Sequence, residues 1–168
     1  VLPNSYVREK LDFVNQFHTS VLDKERAVEV QKYLETSKNA NNSTFAYVNI
    51  NSSLDMVSYG NLDKSVVFEQ IPTITEISKE QASVVLSFVL RINTTSGEEL
   101  YQVKEYYRFG YTSNRVYLYN YERIMNSVFD VSNTSLAKSE FKLGITNETD
   151  IDFISNSDNS MVSFVHDH

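Results

Sequence analysis

The fold is decided by residues 81–111, QASVVLSFVLRINTTSGEELYQVKEYYRFGY. Two runs of β-favouring residues, 81–93 and 99–111, flank the pair Ser96-Gly97, which is typical of a hairpin turn. In the second run polar and aromatic side chains alternate, which predicts one exposed face and one strongly aromatic face. In the first run both faces are apolar, which predicts a central strand that is covered on both sides.

Strand-like sequence continues on both sides of this hairpin. Residues 64–78 and 115–124 have the same character, and the polar segments between consecutive runs are short, so the four strands are predicted to pair antiparallel as a meander. Strands this long accumulate twist and need a bend or bulge. Pro72 is the predicted site, because proline cannot donate a ladder hydrogen bond. Two shorter strands are predicted earlier, at 44–50 and 56–59.

The N-terminal segment has the helical period. Apolar residues recur at steps of three and four from Val7 to Val21, which predicts an amphipathic helix over residues 5–22. Asp23 has the chemistry of an N-cap, and a second helix is predicted to follow it to about Ser37. The predicted fold class is therefore α+β, with N-terminal helices packed in a strongly curved antiparallel sheet that forms a cone.

Composition limits the chemistry that the chain can perform. The 168 residues have a formal net charge of -7 and no cluster of Lys and Arg, so direct binding of nucleic acid is not expected. There is no cysteine, and two of the three histidines, His166 and His168, lie at the C-terminal end. No phosphate-binding loop or nucleophile motif occurs. Consequently no catalytic, cofactor-binding or metal-binding residue is assigned from the sequence.

His18 and Glu105 are the two residues with the chemistry of a pocket. His18 lies on the apolar face of the first helix, where it could look into the cone, and Glu105 could line a pocket with Tyr107. Acid/base catalysis needs a partner that orients the imidazole, and the neighbouring carboxylates of Asp12 and Asp23 point elsewhere. The favoured interpretation is a structural histidine. The alternatives are a small-molecule enzyme of the isomerase or dehydratase type, or a ligand-binding protein.

The abundance of aromatic residues points instead to protein contacts. Eleven tyrosines and ten phenylalanines are more than one core of this size requires. Tyrosine favours interfaces because it buries area while keeping a polar tip. The predicted interface residues are Tyr101, Tyr107, Tyr111, Tyr117 and Tyr119.

The order of these elements resembles the nuclear transport factor two-like fold. Within it, FVNQF at 13–17, EYYRF at 105–109 and the triplet Tyr117-Leu118-Tyr119 resemble the extracytoplasmic domains of VirB-eight-like and TcpC-like conjugation proteins of Gram-positive elements. The resemblance implies a non-enzymatic scaffold of a type IV secretion system that serves plasmid transfer. It also implies self-association and contacts with other proteins of the conjugation channel.

The same resemblance implies a place in the cell and a domain layout. The domain is expected on the extracytoplasmic side of the cell membrane, facing the cell wall, held by an N-terminal anchor that precedes Val1. Residues 1–125 are predicted to form the domain, and residues 126–168 a partly ordered C-terminal extension. In that extension, alternating apolar residues around 141–145 and 151–153 and the apolar segment 161–165 suit short strands.

Overall fold

The computed structural model describes residues 5–112 and 115–128, and the backbone of two short strands in the C-terminal segment. The elements in chain order are α1 (Val7–Leu22), a 3₁₀ helix (Ala27–Tyr33), β1 (Tyr47–Asn49), α2 (Leu54–Val57), β2 (Asp63–Glu69), β3 (Thr73–Ile77), β4 (Gln81–Thr94), β5 (Gly97–Thr112), β6 (Arg115–Ser127), β7 (Asp152–Ser155) and β8 (Val162–Val165).

Six strands form an open, curved antiparallel sheet in the order β1-β6-β5-β4-β2, with β3 also paired to β4. The long hairpins β4–β5 and β5–β6 make its centre. The α+β class and the antiparallel meander predicted from the sequence are therefore confirmed. Gly97 starts β5 with a φ of 131°, a backbone conformation that favours glycine, directly after the β4–β5 turn.

The edge of the sheet beyond β4 is made by two strands instead of the single predicted strand 64–78. β2 pairs with the second half of β4 and β3 with the first half, and the chain between them runs through Pro72. The irregularity predicted at Pro72 is present as an interruption of the strand, whereas the register shifts lie within β2 and β3, at Val66/Phe68 and Ile74/Glu76. The backbone amide of Gln70 still donates to the Ser87 carbonyl at 2.9 Å, which keeps the connection against the sheet.

The prediction that β4 is covered on both faces is wrong. Its residues at alternate positions from Ala82 to Ile92 are buried, whereas Val85 and Val89 on the opposite face are only half-buried. The physical reason is that α1 packs on the inner face, while the residues which the structure describes place no helix over the outer face.

Helix α1 fills the concave face of the sheet. Phe13 packs against Phe109 with ring centroids 5.1 Å apart, and Phe17 lies 5.5 Å from Tyr107 and 5.0 Å from Tyr121. The predicted apolar stripe of the first helix and the aromatic inner face of β5 therefore form one core. In β5 the predicted alternation is confirmed, since its inner residues from Tyr101 to Phe109 are buried.

The predicted second helix is shorter and tighter than expected. Asp23 is the C-cap of α1, and its side chain accepts hydrogen bonds from the backbone amides of Glu25 and Arg26 at 2.9 and 3.3 Å. The N-cap of the following helix is Arg26, which makes no side-chain cap hydrogen bond, so the N-cap predicted at Asp23 is wrong. The helix itself is a 3₁₀ helix, and it does not reach Ser37. It ends because the chain then hydrogen-bonds to the β1–α2 loop, beginning with the Glu35 amide on the Ile50 carbonyl at 2.9 Å.

The strand predicted at residues 56–59 is also wrong, because this segment lies in and after the short helix α2. The side chain of Ser53 accepts a hydrogen bond from the backbone amide of Met56 at 3.3 Å, which is the N-cap arrangement. The strand predicted at 44–50 is present in shorter form as β1, which pairs with β6.

In the C-terminal extension β7 and β8 pair antiparallel, Asp152 opposite Val165 and Ser155 opposite Val162. This agrees with the strand-like composition of segments 151–153 and 161–165. The alternation at 141–145 lies outside the described residues, as do Ser113 and Asn114 between β5 and β6.

Candidate functional site

The structure brings His18 and Glu105 together, although 87 positions separate them in the chain. His18 Nδ1 lies 2.8 Å from Glu105 Oε2, and both side chains are buried. His18 lies next to Phe17 on the side of α1 that is buried against the sheet. In β5 side chains alternate between the two faces, and Glu105 belongs to the series that points to the inner face. No carboxylate near His18 in the sequence was expected to orient the imidazole. The structure supplies one from the sheet, Glu105.

Two tyrosines complete the surroundings of the Glu105 carboxylate. Tyr107 Oη donates to Oε2 at 2.6 Å and Tyr121 Oη donates to Oε1 at 3.2 Å. Burial raises the pKa of both tyrosines well above its usual value, and the Glu105 carboxylate raises it further. Both hydroxyls are therefore hydrogen-bond donors at any physiological pH.

The His18–Glu105 pair favours its charged form. Burial alone would raise the pKa of Glu105, but His18 and the hydrogen bonds from His18 and Tyr107 outweigh it and lower the pKa below 4.5. Burial alone would lower the pKa of His18, but Glu105 and, more weakly, Glu69 raise it above 6.5. The contact therefore stabilises the imidazolium form of His18 and the carboxylate form of Glu105.

The second ring nitrogen of His18 points away from this network. Among the described residues Nε2 is buried without a hydrogen-bond partner. The Oε2 atom of Glu69, at the end of β2, lies 3.9 Å away, too far for a hydrogen bond. Here α1 and the β2–β3 connection enclose a groove of about 360 Å³. Its walls include Asn15 on the helix side and Gln70 and Ile71 on the strand side.

Two other buried cations have structural roles, and neither was singled out from the sequence. Lys10 Nζ donates to the carbonyls of Ser78, Lys79 and Gln81 at 2.6, 3.1 and 3.3 Å, which ties α1 to the β3–β4 turn. The sequence does contain an indication of this role. Lys10 lies three residues before Phe13, on the apolar side of α1, where a charged residue is unexpected.

Arg123 is the second of these cations, and it joins β6 to α2. Its Nη1 and Nη2 donate to the carbonyls of Val57 and Met56 at 2.6 and 2.8 Å, at the C-terminal end of this helix. The Met56 carbonyl also accepts from the backbone amide of Tyr59 at 3.3 Å. Its guanidinium also lies 3.7 Å from the centre of the Tyr59 ring. The signal for this role is its position between Tyr121 and Met125 in the inward-facing series of β6.

The five predicted interface tyrosines separate into different environments. The structure corrects the prediction for Tyr101 and Tyr107, whose side chains are buried in the core because the inner face of β5 is covered by α1. Tyr111 packs on Tyr6 with ring centroids 5.3 Å apart. Tyr117 and Tyr119 are exposed, and the ring of Tyr119 also covers Gly110, where a Cβ would overlap it.

Within the part of the chain that the structure describes, no group of three or more His, Cys, Asp or Glu residues could hold a metal ion. Across the same residues no helix is both long enough and apolar enough to cross a bilayer.

The fold and the site together define a class: an α+β domain with an open, curved antiparallel sheet, an aromatic interior and a buried His–Glu pair beside a groove. Comparisons of this chain with protein-family models, with curated proteins and with solved structures found no match.

Proposed function

We propose that this domain is a non-enzymatic assembly module on a nuclear transport factor two-like fold, acting through protein–protein contacts. The observation that carries the proposal is an apolar edge on the open sheet. Four large apolar side chains in and just after the edge strand β2 are exposed: Val66, Val67, Phe68 and Ile71. Phe68 is 58% and Ile71 89% exposed. An unpaired strand edge with exposed apolar residues is the kind of surface on which proteins associate.

The interior supports this proposal because it is filled. Phe17, Phe88 and Phe109 are all buried on the concave side of the sheet, where an enzyme on such a cone would need room for its substrate. Contact through the outside of the sheet is therefore the function that this arrangement serves best.

The finer assignment rests on the sequence resemblance. We propose that the chain is the extracytoplasmic domain of a membrane-anchored component of a conjugative type IV secretion system. In that role the apolar edge contacts other proteins of the transfer channel or further copies of the same domain. The acidic net charge of -7 agrees with contacts to protein rather than to the transferred DNA.

A mating assay tests this assignment. The gene encoding the chain is deleted from its element and complemented with the wild type, with Phe68→Ser/Ile71→Ser, or with Val28→Ser as the matched control. Val28 is equally apolar and 62% exposed, but it lies outside the apolar edge. We expect transfer to be lost in the deletion and in the double variant, and restored by the control. Undiminished transfer in the deletion strain would exclude the assignment.

The second candidate is a small-molecule enzyme, and the observation that favours it is the His18–Glu105 pair at the groove. The raised pKa of His18 works against a role as general base, because an imidazolium has no free lone pair, and favours a role as general acid. An NMR titration that gives His18 a pKa below 7, the neutral point, would make the base role available again.

A further inference from the structure

We propose that the groove beside His18 is a binding site for a carboxamide group with an apolar substituent, such as the amide of a short peptide-like compound. The groove adjoins the apolar edge and shares Ile71 with it, but the inference rests on His18 and Glu69, which the assembly proposal does not use. It begins with His18 Nε2, which is buried and has no hydrogen-bond partner among the described residues. Buried polar groups are nearly always satisfied, so such an atom facing a groove points to a ligand.

Glu69 supplies the second half of the site. Its Oε2 atom lies 3.9 Å from His18 Nε2, and its side chain is 44% exposed. Because Nδ1 is bound to Glu105 and the pKa of His18 is raised, the imidazolium form offers an N–H at Nε2. The groove therefore presents a donor and an acceptor side by side.

The charges decide between ligand classes. A carboxylate or phosphate has only acceptors and would face the Glu69 carboxylate. An ammonium group has only donors and would leave the Nε2 hydrogen of His18 unpaired. A carboxamide has an acceptor oxygen and a donor nitrogen on one planar group, so it satisfies both residues at once.

The walls of the groove suit the remainder of such a ligand. Ile71, 89% exposed, and Pro72 offer apolar contact, while Asn15 and Gln70 offer further amide hydrogen bonds. The volume of about 360 Å³ has room for a small amide with a branched apolar substituent.

Binding should also depend on pH. Two carboxylates face the imidazole, Glu105 from β5 and Glu69 from β2. Tyr107 from β5 and Tyr121 from β6 belong to the same network because both donate hydrogen bonds to Glu105. Only the histidine changes charge between neutral and mildly alkaline pH, because both tyrosines have a raised pKa. Deprotonation turns Nε2 into an acceptor, so affinity should fall as the pH rises through the pKa of His18.

Four probes with the same branched tail provide the test: isovaleramide, isovalerate, methyl isovalerate and isoamyl alcohol. The full chain, with isotope-labelled histidine, is titrated with each probe while the Nε2 resonance of His18 is followed by NMR. The His18→Phe variant assigns that resonance. We expect saturable binding and a shift of Nε2 with isovaleramide only.

Glu69→Ala is the decisive variant, because its partly exposed side chain can be removed without disturbing the core. We expect it to weaken isovaleramide binding at least about ten-fold, the value of one charge-assisted hydrogen bond. Glu80→Ala, at an exposed glutamate in the β3–β4 turn, should bind as the wild type does. Absence of saturable binding, equal affinity in Glu69→Ala, or preference for the alcohol, ester or acid would overturn the proposal.

Discussion

At the scale of single residues, the buried pair His18–Glu105 makes folding stability depend on pH. Because the folded-state pKa of His18 is above 6.5, its contribution is fully present below pH 6.5 and is lost as the pH rises through that pKa. Because the folded-state pKa of Glu105 is below 4.5, its contribution is present above pH 4.5 and is lost as the pH falls through that pKa. The pair therefore stabilises the fold most strongly between these two values.

We predict that the urea midpoint of the wild type falls as the pH is raised from about 6 to about 9, and that His18→Gln lacks this part of the decrease. Glutamine keeps a polar amide at the site but has no proton to lose. Parallel pH profiles for the two proteins would show that the pKa of His18 is the same in the folded and unfolded states, and would contradict this prediction.

At the scale of elements, Arg123 is the residue that holds α2 on the sheet. We expect Arg123→Leu to lower the free energy of unfolding by about 3 kcal/mol, because two buried carbonyls, those of Met56 and Val57, lose a charged donor. Chemical denaturation measures the difference. The matched control is Arg108→Leu at an exposed position of β5, for which the expected change is within about 0.5 kcal/mol.

Arg123→Lys separates charge from geometry in the same contact. A lysine ammonium lacks the planar fork of the guanidinium, so it should recover only part of the stability. If Arg123→Leu were as stable as the control variant, the hydrogen bonds to the end of α2 would have no energetic role.

At the scale of the whole molecule, the edge of the open sheet at β2 is exposed and available for association. We predict that the chain self-associates in a concentration-dependent manner in sedimentation velocity, and that Phe68→Ser/Ile71→Ser remains monomeric. The register shift between Val66 and Phe68 interrupts the edge of β2, so side-chain contacts rather than a continuous strand ladder should dominate. Val28→Ser should associate as the wild type does. If the double variant sediments with the same mass distribution as the wild type, the apolar edge is not the interface.

The sequence determined by itself those features that depend on local periodicity. The stripe from Val7 to Val21 gave α1, and the alternation in residues 99–111 gave the buried face of β5. It also placed the interruption between β2 and β3 at Pro72, since a missing backbone donor is visible in the sequence. These signals are local because a helix or strand repeats its contacts every few residues.

The tertiary structure decided which polar groups meet. His18 and Glu105 each suggested a pocket residue in the sequence, but only the placement of α1 across the sheet joins them at 2.8 Å and leaves Nε2 facing the groove. The same placement buries Tyr107, which composition alone assigned to an interface. Contacts between residues far apart in the chain depend on strand register and on how the helix packs, and neither is encoded in a local pattern.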